Sequence, residues 1–282
     1  MDIISSVVFA SATLWATFFV RIQGEDVLEE AITFTTYHLN RFRSEIDSNL
    51  LIREKVSRAL HQSIHREVPI IGARYYIPIY EKEESSNELI VRFAKLNFNY
   101  LQSLYQKELF DLTRWWRDSN MCSKVPYVRD RIVESYVWGV DMNYEPQYSF
   151  ARATVAKVIQ LTTVLDDTYD TYAPLEDLEI FTQRESKSIN DGENVTAVDC
   201  YMKQYGVSKE EALNKFAQLA EEMWMSMNKE WVETVFVPRQ CLKPFLSYGR
   251  LAITCLENGD GFTYPEEVIK SQILALFVDP MI

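Results

Sequence analysis

An all-α fold is predicted by three observations. Apolar residues recur at three- and four-residue spacing along almost the whole chain, and no strand–turn–strand alternation interrupts them. Gly (8) and Pro (9) are scarce among 282 residues. With 47% hydrophobic and 13% aromatic residues, the chain can fill a sizeable core. A net charge of −12 argues against nucleic acid as a partner, because phosphates demand basic patches. Cys122, Cys200, Cys241 and Cys255 form no C-x-x-C pair. Buried thiols in a reducing, cytoplasmic compartment are therefore expected, not disulfides or zinc. His61 and His65 stand four apart without the Glu of a zinc-binding H-E-x-x-H. They read as ordinary helix-surface residues.

Residues 1–20 are a segment of their own, mostly apolar and uncharged from Ile3 to Val20. The stretch is barely long enough to span a bilayer. Asp2 stands where a secretory signal needs basic residues, and Arg, which a transit peptide needs, first occurs at position 21. A buried N-terminal helix is expected in preference to a membrane anchor. Gly24 to Leu39 reads as a helix whose first turn carries Glu25 and Asp26, as the helix dipole favours. Leu50 to Ile64 is the next helix, and Arg74 to Tyr80 is an aromatic stretch holding Tyr-Ile-Pro. The charged, turn-prone run Glu81 to Asn87 marks a boundary near residue 86.

Glu88 to Asp118 is predicted as one long helix with a core face of Leu89, Phe93, Leu96, Tyr100, Leu104 and Leu112. Arg129-Asp130-Arg131 follows Pro126 and opens a helix running through Trp138. Paired guanidinium forks at a helix start fit phosphate oxygens, and the helix N–H groups add to that attraction. Val155, Val158, Ile159, Leu161, Val164 and Leu165 read as the buried face of the next helix. It ends in Asp166, Asp167 and Asp170. On a helix, Asp166 and Asp170 share a side at roughly 5–6 Å and repel each other. They also lie near the C-terminal end, where the dipole disfavours anions. A hard divalent cation reverses that balance, since Mg²⁺ prefers carboxylate, phosphate and water oxygens. Arg184 to Asn194 reads as a polar loop. A short helix from Val195 ends before Gly206, and Ser208 with Glu211 forms a capping box opening a helix to Trp231. Pro238 to Leu256 and Pro265 to Phe277 complete the helices, separated by the turn-rich Asn258 to Phe262.

The residues in combination resemble the plant class I terpene synthases of the sesquiterpene cyclase type. The resemblance is carried by Gly24 to Ala31, Arg114 to Asp118, Pro126 to Arg131 and Tyr144 to Ser149. Val164 to Asp170, Cys200 to Gly206 and Gly259 to Thr263 complete it. It implies an incomplete class I terpenoid synthase bundle. Residues 21–85 would be a remnant of the N-terminal domain, and residues 86–282 the metal-binding domain. It further implies Mg²⁺, or Mn²⁺ in its place, held by Asp166 and Asp170 with Asp167 in support. Farnesyl diphosphate is the implied substrate, its diphosphate met by Arg129 and Arg131. Trp138 corresponds to an aromatic residue at the pocket floor, and Asp260 lies in the loop capping the mouth. Cys255 stands where relatives often have Tyr. The implied protein is a monomer acting on a small molecule: loss of diphosphate leaves an allylic cation, which aromatic faces stabilise.

Two departures from the family pattern bear on activity. The Arg-Arg and Trp signature of monoterpene relatives is absent, as is most of the N-terminal domain. Ile180 to Gln183 is followed directly by sequence resembling a much later part of the family, which places an internal deletion near 183–194. The second metal motif needs Asp or Asn, then Ser or Thr four on, then Glu four further. Glu67, Glu230 and Glu267 have Ser or Thr four residues before them, but Ala59, Glu222 and Gly259 stand eight before. No intact copy exists, and Glu222, Ser226 and Glu230 are the nearest substitute. Two rival readings follow. One is an inactive helical remnant that binds prenyl diphosphate or a partner protein. The other is an isoprenyl diphosphate synthase, which would show two aspartate-rich motifs.

Overall fold

The structure is a computed structural model and describes residues 22–45, 50–61, 65–167, 197–256 and 260–282. Expectations for residues 1–20, Asp170 and the 184–194 loop lie outside these residues. The described elements are all helical, in the order α1 (Asp26–Glu45), α2 (Leu50–His61), α3 (Pro69–Glu81) and α4 (Glu88–Ser119). The single turn α5 (Met121–Lys124), α6 (Ile132–Met142) and α7 (Ser149–Asp167) follow. Then come α8 (Ala197–Tyr205), α9 (Lys209–Glu233), α10 (Arg239–Leu256), α11 (Pro265–Val268) and α12 (Lys270–Phe277).

Local signals account for several boundaries. The Asn87 side chain accepts from the N–H groups of Leu89 and Ile90 and caps α4. The Ser208–Glu211 capping box opens α9, and Gly206 closes α8 at φ 66°, where a side chain would be strained. The aromatic 74–80 stretch forms the larger part of α3. Pro69 starts that helix, which continues through Pro78. An internal proline costs about 3 kcal/mol, offset here by burial of Ile70, Ile71 and Ile79. The predicted last helix is broken at the buried Ile269 into α11 and α12.

At the centre lies α6, buried from Glu134 through Asp141, as expected of a helix enclosed on every side. It packs chiefly against α7, and also against α10 and α4. A Cβ at Gly139 would sit 2.6 Å from the Arg152 carbonyl oxygen, so glycine permits the close approach to α7.

The faces of α4 and α7 depart from the hydropathy reading. On α4 the buried row is Val91, Phe98, Leu101, Tyr105, Leu112 and Trp116, whereas Leu89, Phe93, Leu96 and Tyr100 are exposed. Both rows are apolar at helical spacing, and only one meets the core. On α7 the inward residues are largely polar: Arg152, Gln160, Thr163 and Asp167, with Ala156 and Val164. Val158, Leu161 and Leu165 face outward. The polar face is tolerated because its groups find partners. Arg152, 0% exposed, donates two hydrogen bonds to Glu108 and two to the carbonyls of Asn143 and Glu145. Tyr136 adds a third donor to Glu108 at 2.7 Å. The thiol expectation also needs correction. Cys255 is buried, but Cys122 and Cys241 are exposed. His65 is not a free surface residue, since its ring meets the Trp224 edge and Nε2 lies 3.1 Å from Asn228 Oδ1.

Candidate active site between two arginines and an aspartate-rich helix end

The helices α6 and α7 form a hairpin joined through residues 143–148. The start of α6 therefore lies beside the end of α7, and Arg129 meets Asp166 and Asp167. The backbone of residues 129–131 is pinned by Gln160, a fully buried side chain on α7. Its Oε1 accepts from the Arg131 N–H at 3.0 Å, and its amide donates to the Arg129 carbonyl at 3.0 Å.

Arg129 is committed to Asp167. Its backbone N–H donates to Oδ2 at 2.8 Å, and Nε and Nη2 lie 2.7 and 2.6 Å from Oδ1. Asp166 Oδ2 is 3.5 Å from Nη2. Burial pulls the Arg129 pKa down, but Asp167, then Asp166 and Asp260, outweigh it and hold it above its usual value. Asp167 thus spends both oxygens on Arg129, with its side chain only 7% exposed. The Asp166 side chain, 58% exposed at the helix end, turns toward solvent.

A third element closes the cluster. Thr263, after the turn at Asp260, accepts from Arg129 Nη1 on its hydroxyl at 2.8 Å and from Arg131 Nη2 on its carbonyl at 2.7 Å. Asp260 Oδ1 accepts from the N–H groups of Phe262 and Thr263. Burial alone would raise the Asp260 pKa, but these bonds, the Thr263 hydroxyl and Arg129 bring it below the usual value. Arg131 Nε is buried without a hydrogen-bond partner, and Nη1 lies 3.6 Å from Glu134.

Further along α6, the Trp138 ring lies 4.7 Å from that of Tyr248, with Nε1 unpartnered. Asp141 is wholly buried with neither oxygen hydrogen-bonded. The Cys255 thiol is pushed up to about 12, chiefly by burial and then by Asp141 and Asp260. Gln160 and Asp141 carry no motif that a sequence reading could seize, and Thr263 enters one only as the last residue of the Gly259–Thr263 stretch. Their significance lies in contacts with distant residues or in burial.

Among the described residues, no group of three or more His, Cys, Asp or Glu side chains is arranged to hold a metal ion. Asp166 does offer the exposed hard oxygens that Mg²⁺ takes alongside phosphates and water. Glu222, Ser226 and Glu230, the nearest substitute for the second metal motif, are on α9. They lie on the side of α9 away from its buried Trp224 and Asn228, and Ser226 and Glu230 are exposed.

The helical architecture and this site define a class I terpenoid synthase fold. Isoprene synthase from grey poplar leaves (Populus x canescens) superposes with a TM-score of 0.86 at 22% identity, covering 100% of this chain and 77% of that one. Limonene synthase with 2-fluorolinalyl diphosphate gives 0.88 at 20% identity, covering 100% and 76%. A family model for the metal-binding domain of the terpene synthases matches residues 117–184 and 183–226. γ-Cadinene synthase of Ocimum basilicum is 31% identical, covering 96% of this chain and 74% of that protein. Germacrene A synthase of Pogostemon cablin is 28% identical, covering 92% and 70%. The chain belongs to the terpene synthase family, whose members are lyases acting on prenyl diphosphates. The γ-cadinene synthase alignment runs over 405 positions against a chain of 282 residues, so more than a hundred positions of that relative face gaps here. Among the described residues, no helix is long and apolar enough to cross a membrane.

Proposed function

We propose that this chain binds farnesyl diphosphate as its Mg²⁺ complex and ionises it slowly, without efficient cyclisation. The observation that carries the reading is the convergence of Arg129 and Arg131 with Asp166 at one end of the α6–α7 hairpin. The sesquiterpene synthases among the relatives support a fifteen-carbon substrate. Asp166 and Asp170 would hold Mg²⁺, and Asp167 acts on Arg129. When bound, the metal neutralises charge on the departing diphosphate. Arg129 and Arg131 supply the remaining cationic donors, and Trp138 offers an aromatic face to the hydrocarbon cation.

Slow ionisation follows from the second metal motif. No intact copy occurs in the sequence. Removing one stabiliser of this kind costs about 10²–10³ in rate. The family model matches in two pieces that meet at 183–184, which supports an internal deletion there. A pocket missing that wall admits water, which adds to the cation and loses a proton. Traces of acyclic alcohols such as farnesol or nerolidol are expected.

The experiment is purified chain with farnesyl diphosphate and Mg²⁺, with products read by gas chromatography–mass spectrometry. A cyclic sesquiterpene formed at about 1 s⁻¹ or faster overturns the reading. Diphosphate binding without any product selects a second reading, an inactive remnant that binds prenyl diphosphate. The absence of an intact second metal motif from the sequence favours that one.

A further inference from the structure

We propose that Thr263 is a positioning residue that divides the work of the two arginines. It fixes Arg129 as an anchor of the 260–264 turn and aims Arg131 at the incoming anion. This rests on the diphosphate-binding reading above and assigns that site an internal order.

Thr263 gathers three charged residues. Its hydroxyl accepts from Arg129 Nη1, its carbonyl accepts from Arg131 Nη2, and its N–H donates to Asp260 Oδ1. The two arginines reach it across 134 and 132 residues of chain. The arginines themselves are not equivalent. A guanidinium has five N–H donors in a fixed fork. Arg129 directs Nε and Nη2 to Asp167 and Nη1 to Thr263, so its charge is balanced in place and its plane is fixed. Arg131 donates to a neutral carbonyl, has its nearest carboxylate, Glu134, no closer than 3.6 Å, and keeps a buried Nε with no acceptor. An unmet buried N–H donor is costly, and an anion oxygen is the group that satisfies it. The Thr263 carbonyl holds one arm of that guanidinium, which sets the direction of the rest.

The hydroxyl is the part that mutation can isolate. Valine matches threonine in shape and lacks the hydroxyl that accepts from Arg129 and also bonds Asp260. The turn then loses its tie to the Arg129–Asp167 pair, and the carbonyl that aims Arg131 shifts with it. Serine keeps the acceptor.

The test is calorimetric titration of inorganic diphosphate, with Mg²⁺ present, into the full chain and into Thr263→Val and Thr263→Ser, with thermal melts of each. Thr263→Val is expected to weaken binding about tenfold, near the upper end of a single hydrogen bond's net worth. Thr263→Ser should bind within about twofold of the parent, and both variants should melt within about 2 °C of it, the shift that a loss near 1 kcal/mol produces in a chain of this size. A parent chain that does not bind diphosphate overturns both this assignment and the reading beneath it. A parent that binds, with Thr263→Val binding equally well, overturns the Thr263 assignment alone. Weakened binding that serine fails to restore, together with a large fall in melting temperature, also overturns it, because the residue would then be merely structural.

Discussion

Arg129 and Arg131 stand two positions apart yet in different electrical surroundings. Arg129 holds a buried carboxylate through a backbone N–H and a guanidinium fork. Lysine keeps the charge but loses the fork. Arg129→Lys is therefore expected to lower stability by about 1.5–3 kcal/mol, the usual range for hydrogen bonds to a charged group. Arg131→Lys should instead weaken Mg-diphosphate binding with little change in the melt. Parallel calorimetry and thermal unfolding separate the two signatures. Asp141 yields a pH prediction. Burial alone holds its carboxyl well above 3.8. The folded state then keeps the proton while the unfolded state releases it. That disfavours folding progressively as pH rises from about 4 toward the folded-state value. Asp141→Asn removes the proton difference. Its melting temperature should exceed the parent's by a margin that widens from pH 4 to pH 7. A constant margin across that range would contradict the assignment.

At the scale of helices, extents were more legible than faces. The limits of α4 are readable from its periodicity and its turn-prone flanks, because those signals are local. Which of its two apolar rows turns inward is decided by packing against α6, α3 and α12, and no local signal carries that. The α7 helix is the sharper case. Its inward face holds Arg152 and Gln160, which hydropathy assigns to solvent. Their partners, Glu108 and the backbone of residues 129–131, lie 44 and roughly 30 residues away. The Glu108–Arg152 pair should be correspondingly sensitive. Glu108→Gln leaves a buried guanidinium without its counter-ion and is expected to cost about 3–5 kcal/mol, measurable by urea unfolding. Burial raises the Glu108 pKa, but Arg152 and Tyr136 outweigh it and hold it below 4.5. This contribution is full above about pH 4.5 and is lost as pH falls through the lower folded-state value.

For the whole molecule, the aspartate-rich and arginine-pair motifs were legible because their chemistry is unusual at a helix end. The turn that ties the arginines together was legible only as the stretch Gly259 to Thr263 with Asp260 at the mouth; the part Thr263 plays appears only in three dimensions. The outward set on α9 gives a negative control. Ala in place of Glu222, Ser226 and Glu230 together should leave Mg-diphosphate affinity within about twofold of the parent. A tenfold loss would return that set to the site.

The separations that build this site also order its assembly in time. The Arg129–Asp167 contact closes 38 residues, and the Arg129–Thr263 contact closes 134. Ordering a longer stretch of chain costs more entropy before any contact repays it. In refolding, the α6–α7 hairpin should therefore form ahead of the Thr263 tie, and helical signal should return before diphosphate binding does. During that interval α6 awaits α10, which covers one of its sides in the finished fold. A nascent chain at this stage presents α6, the most apolar of the described helices, to whatever is nearby.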